Sequence, residues 1–374
     1  MSTDKDGSAT GSDTPLPDLG DVRKEIDEID LKIQALLNKR ANAALKIATV
    51  KLAASKGQPV DFYRPEREAQ VLKEVARRNE GPMSDGAVQR IFREIFSVSL
   101  ALEQPMRIAY LGPEGTYSHA AADRHFGHAV ETIAEPGIAE IFHAVEAGRA
   151  RFGVVPVENS TEGAVNLTLD LLTQTPLRVC GELSMRIQHS LLSQAEELGE
   201  IKSVHAHPQA LAQCWHWLNA NVPNATRVSE SSNAAAAKLA LETPGIAAIA
   251  GETAAQLYGL NSLMKGIEDE KNNTTRFLII GDQDVPPSGD DSTLLLVTAP
   301  HRPGGLRNLL EPLELAGVSM TRIESRPSRS ALWEYVFFID VDGHQHDETL
   351  APVLNDIREL TPMLKVLGSY PSAL

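Results

Sequence analysis

Cysteine is almost missing from this chain: Cys180 and Cys214 are the only two in 374 residues. Two thiols supply no disulfide framework, so the fold must rest on its apolar core. Long apolar runs are missing too, and none approaches the ~18 residues of a membrane span. Nor is there a basic surplus. Thirty-five Lys and Arg face 50 Asp and Glu, a formal charge of −15. That balance argues against a nucleic-acid binder, whose footprint is basic, while leaving room for a local Arg cluster that receives an anion. The N-terminal stretch has no apolar signal region, which predicts a cytoplasmic protein. What is present is ordinary for a globular protein, 42% hydrophobic and 23% charged residues, in a length sufficient for two or three domains.

Residues 1–18 are Ser, Thr, Asp, Gly and Pro with almost nothing apolar, the composition of a disordered tail. From Leu19 to Ala54 a helical seam runs through Val22, Ile26, Ile29, Ile33 and Leu36, then Ala43, Ile47 and Val50. Arg40 stands in that seam, either snorkelling at an edge or holding an anion inside a bundle. Lys51, eleven residues on, falls about 20° from the same face. Arg23 falls on another face and would serve another pocket or a partner subunit. Gly57-Gln58-Pro59 breaks the helix. A second helix is predicted from about Pro65 through Arg78 and a third from about Ser84 to Glu103, with Ser99 and Glu103 on one face. Such helices are a poor core for a monomer, and a dimer with intertwined long helices would bury the seam.

Residues 19–104 resemble the all-helical type of chorismate mutase found at the N-terminus of bifunctional chorismate mutase–prephenate dehydratases. The matching residues are Arg23, Arg40, Lys51, Arg67-Glu68, Ser99 and Glu103. The resemblance implies that these act on chorismate, with Arg23 reaching the other subunit's site. Cations clamp the two carboxylates of the reactive conformer, Lys51 donates near the breaking ether bond, and Glu68 holds the ring hydroxyl. Two positions depart from the pattern. Glu103 stands where some relatives have Gln, and Arg64 stands where many have Asp.

After Gln104-Pro105 the pattern becomes α/β. Met106–Leu111 reads as a strand feeding the turn Gly112-Pro113-Glu114-Gly115-Thr116-Tyr117-Ser118, where backbone N–H groups can meet an anion. A helix follows around 137–147, then the strand 151–157, which ends in Glu158-Asn159-Ser160, and a helix over about 165–172. Two short strands are expected around Gly181-Glu182 within 178–192, then a strand near 201–204 and a helix whose Gln209 and Gln213 are i and i+4. His205 and His207 lack a third ligand at metal spacing. His119, His125, His128 and His143 read as solvated helix positions. Asn272-Asn273-Thr274-Thr275-Arg276-Phe277 passes from polar loop into a buried strand, where an α/β domain usually puts its site.

Residues 106–283 resemble a prephenate dehydratase domain in four motifs in the family's order: the 112–118 turn, Val155–Ser160, His207-Pro208-Gln209, and Thr274–Phe277. The resemblance implies two α/β lobes like a periplasmic binding protein. The first would be 106–184, the second 185–258, with return to the first at the Thr275 strand. It implies Thr275 as the catalytic hydroxyl, Arg276 beside a substrate carboxylate, and Ser118, Glu158, Asn159 and Gln213 in support. No metal and no organic cofactor is implied.

Asp284–Asp291 reads as a linker. The order βαββαβ over 292–374 resembles an ACT regulatory domain, ferredoxin-like in class. Gly304-Gly305-Leu306 and Glu324-Ser325-Arg326-Pro327 match its phenylalanine-responsive version, which implies L-phenylalanine as effector. The expected whole is a multidomain cytoplasmic enzyme: an all-α mutase domain, a two-lobed α/β dehydratase domain and an α+β ACT domain. Chorismate and prephenate are its substrates, it acts as a homodimer or higher homo-oligomer, and it has no nucleic-acid or membrane partner. A two-lobed ligand-binding sensor and a dehydratase with a merely dimerising helical domain are the competing readings.

Overall fold

The computed structural model describes residues 18–55, 60–300, 302–327 and 335–373. The expected tail, up to residue 17, and the Gly57-Gln58-Pro59 helix break lie outside them. The chain divides into two compact units, residues 1–58 and 59–374, so the helical domain expected over 19–104 spans both. In the first unit, α1 (Leu19–Ser55) is one continuous helix. Its seam residues Ile26, Ile29, Ile33, Leu36, Ile47 and Val50 are exposed.

The second unit opens with α2 (Pro65–Arg77) and α3 (Asp85–Glu103). Pro65 supplies a preset φ at the first turn, and Ser84 caps α3 by accepting from Ala87 N at 3.3 Å. Tyr63, just ahead of α2, lodges its ring 5.4 Å from Phe126 and 5.3 Å from Phe152. Those two rings belong to the α/β core, so this helical hairpin is joined to it.

The first lobe is built from β1 (Arg107–Leu111), α4 (Tyr117–Phe126), β2 (Glu131–Glu135), α5 (Ile138–Glu146), β3 (Phe152–Asn159), β4 (Gly163–Ala164), α6 (Asn166–Gln174) and β5 (Arg178–Arg186). The second comprises β6 (Ser190–Ser193), β7 (Ser203–Ala206), α7 (Pro208–Gln213), α8 (Trp215–Asn221), β8 (Thr226–Ser229), α9 (Asn233–Glu242), β9 (Ile246–Ala250), α10 (Glu252–Tyr258) and β10 (Asn261–Lys265). The chain then returns along β11 (Thr274–Gly281). This strand lies antiparallel between β3 and β5 in a sheet ordered β2-β1-β3-β11-β5. The second sheet is ordered β10-β6-β9-β7-β8.

Two expectations change here. Gly181 and Glu182 sit within one strand, β5, rather than between two, because β11 pairs along its whole length. Three histidines differ from the solvated helix positions expected. His119 stacks on Tyr110 with ring centroids 4.7 Å apart and accepts from Gly115 N at 3.1 Å, and His128 lies beyond the end of α4. His125 is not solvated. Its Nε2 lies 3.0 Å from Tyr63 Oη, and burial pushes the imidazole down to about 3, with Arg93 adding to the effect.

The C-terminal part is β12 (Asp291–Thr298), α11 (Gly305–Leu315), β13 (Met320–Pro327), β14 (Tyr335–Asp342), α12 (Leu350–Leu360) and β15 (Leu364–Pro371), with sheet order β13-β14-β12-β15. Period-two alternation gives this sheet two apolar faces. Leu295, Val297, Ile339 and Val341 meet α11 and α12. Leu294, Leu296 and Phe338 join Val155, Val179, Leu278 and Ile280 in a core shared with the first lobe. The expected linker is therefore not a free tether. Val285 is buried and its carbonyl accepts from His344 Nε2 at 2.8 Å, Asp290 meets Lys73 Nζ at 2.6 Å, and Asp291 already belongs to β12.

Candidate active site

Between the two lobes lies a cleft of about 460 Å³. Thr275 and Asn159 sit on its floor, side by side on the antiparallel pair β11 and β3. Asn159 Nδ2 donates to Thr275 Oγ1 at 2.9 Å and to Asn273 Oδ1 at 2.8 Å. Among the described residues nothing takes the Thr275 hydroxyl proton, so it is free for a molecule in the cleft.

The hydrogen-bond chain continues across the lobes. Asn273 Nδ2 donates to Gln213 Oε1 at 3.3 Å. The same oxygen lies 2.9 Å from His189 Nε2, and His189 Nδ1 lies 2.8 Å from Tyr117 Oη. Burial lowers the His189 pKa, against opposing pulls from Gln213 and Glu268, so the ring is neutral near pH 7. An amide oxygen only accepts, which puts the ring proton on Nε2; the single proton of the Tyr117 phenol then faces two acceptors, Nδ1 and the carbonyl of Gln188 at 2.7 Å. Gln213 Nε2 is buried and unpartnered among the described residues.

Two helices aim their first turns at this space. Thr116 caps α4, its Oγ1 accepting from His119 N at 3.3 Å, and Tyr117 and Ser118 follow on the cleft wall. Ser232 caps α9, accepting from Ala235 N at 3.0 Å, with Asn233 beside it. Helix N-termini carry partial positive charge. Among the described residues no Lys or Arg lines the cleft, and Glu162 is its charged group.

Thr275, Asn159, Ser118 and Gln213 are thus brought together as expected from sequence, whereas Arg276 and Glu158 are turned away. Strand alternation explains why, since each is the immediate neighbour of a residue that faces the cleft. Thr275 pairs with Asn159 and Arg276 with Glu158, but Phe277 pairs with Pro156, so Val157 is an extra residue in a β-bulge. Asn159 and Pro156 both face the cleft, while Val157 and Glu158 face the opposite side of the sheet with Arg276. Arg276 is held there by Asp340 and Glu182, leaving it no substrate carboxylate to meet. Tyr117 and Asn273 lie in two of the stretches that the sequence marks out, without a role of their own there, and His189 lies in none. No motif joins them, and they meet only when the lobes fold together.

A relative from Stutzerimonas stutzeri, described as a bifunctional chorismate mutase/prephenate dehydratase, is 51% identical over 94% of this chain and 97% of its own length. The chain belongs to the bifunctional chorismate mutase/prephenate dehydratase family. Family models match in order: chorismate mutase type II over residues 22–104, prephenate dehydratase over 108–285, and the ACT domain over 293–359. Among solved structures, the prephenate dehydratase from Arthrobacter aurescens in complex with L-Phe is 36% identical. It matches with a TM-score of 0.65 over 71% of this chain and 90% of its own. A protein described as a novel type of quorum quenching acylase is 32% identical, with the same TM-score, over 71% of this chain and 98% of its own.

The mutase candidates of this bifunctional-family chain fall on separate bodies. Arg23, Arg40 and Lys51 lie on α1. Arg67 and Glu68 lie on α2, and Ser99 and Glu103 on α3. Arg64 pairs with Glu66. Ser99 is buried and donates to Ile95 O at 2.7 Å. Glu68 lines a small cavity of about 80 Å³ with Arg93, Arg124 and His125. Burial pushes its carboxyl up to about 7, against an opposing pull from Arg93. A raised folded-state pKa means the fold favours the neutral acid, so this group costs stability as pH climbs from about 4.5 through 7. Glu68→Gln is therefore expected to stabilise the protein by about 3 kcal/mol at pH 8 and hardly at all at pH 4. Urea melts at both pH values check this, and a gain independent of pH would contradict it.

The ACT candidates are also divided. Gly304 is the left-handed N-cap of α11 at φ 77°. Gly305 is buried so closely that an added Cβ would stand 2.2 Å from Pro300 O, and Leu306 follows it. On β13, Arg322, Glu324 and Arg326 are half-buried, while Ile323, Ser325 and Pro327 are exposed. Arg326 Nη2 meets Asp170 of α6 at 2.9 Å. Glu324 and Arg326 thus share the face turned to the first lobe, and Ser325 takes the other.

Proposed function

We propose that the cleft converts prephenate to phenylpyruvate and that the helical residues convert chorismate to prephenate, with phenylalanine acting through the ACT domain. The observation that carries the dehydratase half is the Asn159–Thr275 pair, which leaves a fixed hydroxyl proton at the cleft floor. Prephenate loses carbon dioxide and its 4-hydroxyl, and the aromatic ring formed supplies the driving force. The departing oxygen needs a donor. Thr275, oriented by Asn159, donates a hydrogen bond to it without itself ionising, and the oxygen leaves as hydroxide, which solvent protonates. The N-termini of α4 and α9 receive the substrate carboxylates in place of the expected Arg276. Ser118 and the free amide of Gln213 add donors.

An acyl-transfer reading, raised by the acylase-like structure, fits less well. A hydroxyl nucleophile wants a base at its oxygen, whereas Thr275 is held by an amide. Separate assays on the purified protein test the proposal. Formation of prephenate from chorismate and of phenylpyruvate from prephenate supports it; absence of the second refutes the cleft assignment.

For the mutase, the resemblance supports Arg23, Arg40, Lys51, Arg67, Glu68, Ser99 and Glu103 as the acting residues. Arg and Lys clamp the dicarboxylate for a pericyclic step that needs no covalent catalyst. A carboxyl group facing the ether oxygen donates only when protonated. Mutase activity should therefore rise toward acid pH and flatten in Glu103→Gln. A flat profile in both proteins sinks the role of Glu103. The exposed seam of α1 supports a homodimer, since one helix cannot bury its own apolar face. Light scattering on the full chain checks this against a monomer. The composition supports a cytoplasmic enzyme. The solved relative holding L-Phe supports phenylalanine as effector, and equal dehydratase rates with and without millimolar phenylalanine would refute feedback.

A further inference from the structure

We propose that Arg276 and Arg322 are positioning residues for the dehydratase reaction, pinning Thr275 and Asn159 from behind the sheet through charged contacts with the ACT domain. This rests on the Thr275–Asn159 centre proposed above. Arg276 is the strand neighbour of Thr275, and Glu158 is the strand neighbour of Asn159. Both point to the sheet's far face, where the ACT sheet packs. There Arg276 Nη1 and Nη2 donate to the two oxygens of Asp340 at 2.9 and 2.7 Å. Its Nε donates to Glu182 at 2.8 Å, and Nη2 also reaches Tyr370 Oη at 3.1 Å. Arg322 Nε meets Glu158 at 2.7 Å, and its Nη1 lies 3.6 Å from Asp340. Asp340 therefore faces both arginines, one from each domain.

Every strand in this joint has its own tie. Glu158 ties β3, Arg276 ties β11 and Glu182 ties β5, while Arg322 and Asp340 supply β13 and β14 of the ACT sheet. The ties stand where they matter most. The pairing of β3 with β11 slips by one residue between Arg276 and Phe277, and at such a bulge the ladder of backbone bonds is locally disrupted. A residue shift there would turn Thr275 away from Asn159. The small cavity beside these groups, about 30 Å³, also touches Glu324 of the ACT motif. That volume admits water and no amino acid, so it is a joint and not a ligand site. A change in β13 would move Arg322, then Glu158, then its neighbour Asn159.

Fixing the ACT domain in place is the plainer role for these pairs, and kinetics separate the two. Arg322 is the safe probe because its side chain is 39% exposed. In the full chain, Arg322→Glu is expected to lower dehydratase kcat at least tenfold with KM within about twofold, leave mutase kcat unchanged, and shrink the response to phenylalanine. The reversed pair Glu158→Arg/Arg322→Glu is expected to recover part of that kcat, since its new carboxylate regains an arginine partner but still faces Asp340. Unchanged kcat in Arg322→Glu overturns the proposal. So does a reversed pair no faster than Arg322→Glu while the melting temperature and mutase rate stay normal. If Arg322→Glu misfolds, shown by loss of mutase activity as well, Arg322→Gln gives the same reading with a smaller expected drop, and its unchanged kcat is equally fatal. Failure of the centre itself is distinct, because Thr275→Ala would then retain dehydratase activity whatever Arg322 does.

Discussion

Thr275→Ala is expected to lower dehydratase kcat by about two to three orders of magnitude, the usual cost of removing one preorganised donor, with mutase turnover unchanged. The size follows from how little else the cleft offers at that point. Among the described residues no Lys or Arg lines it, so no nearby charge takes over when the hydroxyl is lost. Asn159 Nδ2 would lose its acceptor on Thr275 but keep Asn273 Oδ1 at 2.8 Å, so the floor should hold its shape. Thr275→Ser keeps the donor and sheds a methyl group, and should retain activity within about tenfold. The two substitutions together separate a chemical role from a packing one. Wild-type turnover in Thr275→Ala would end the assignment, whereas equal losses in Ala and Ser variants would point to packing of the β11 methyl group. Mutase turnover serves as the internal control, since Thr275 is no part of the helical segment.

How much of this site the sequence discloses depends on how local each signal is. Thr275, Asn159 and Ser118 lie in contiguous polar stretches at the ends of apolar strands, so pattern alone singles them out. Their facing is harder. Alternation puts Glu158 on the face opposite Asn159 and Arg276 on the face opposite Thr275, which turns that pair to the ACT domain, but the bulge breaks the rule one residue earlier and puts Val157 on the far face with Glu158 and Pro156 in the cleft. A bulge has no signature in a run of Val and Pro. Tyr117 and Asn273 lie in those same stretches, but their link through His189 joins separated segments and comes only from the fold. The edge strands β2, β8 and β10 carry no clear sequence signal for a different reason. Edge strands bury little, and all but one of their residues are half-exposed or exposed, so they lack the apolar run that marks a central strand. Residues 284–291 read as a linker because Pro286, Pro287 and Gly289 fit a tether and a packed turn equally well. Tertiary contacts such as Lys73–Asp290 decide between them.

Gly368→Val is expected to destabilise the protein by about 3 kcal/mol or more and to loosen the ACT domain from the dehydratase sheet. Gly368 lies on β15, opposite Leu294 of β12, beside a register shift that leaves Leu367 as an extra buried residue. A Cβ at this position would stand 2.0 Å from Val179 O and 2.9 Å from Val179 C and N. The clash is with backbone of β5, a strand paired along its length with β11, so no side-chain rotation relieves it. Either β15 moves away or β5 does. Movement of β15 opens the shared core around Val179, Leu278 and Tyr370 and strains the Tyr370 contacts to Arg276 and Asp340. Movement of β5 disturbs the partner of Thr275, which is Met185 in the register. Loss of dehydratase rate and of the phenylalanine response should therefore accompany the drop in melting temperature, while the mutase rate declines only through overall stability. Gly368→Ala should show the same signs at smaller amplitude. A Gly368→Val protein that melts and responds to phenylalanine like the wild type would mean that the two sheets are not packed in solution as they are here, and the ion-pair joint behind Thr275 would lose its footing with them.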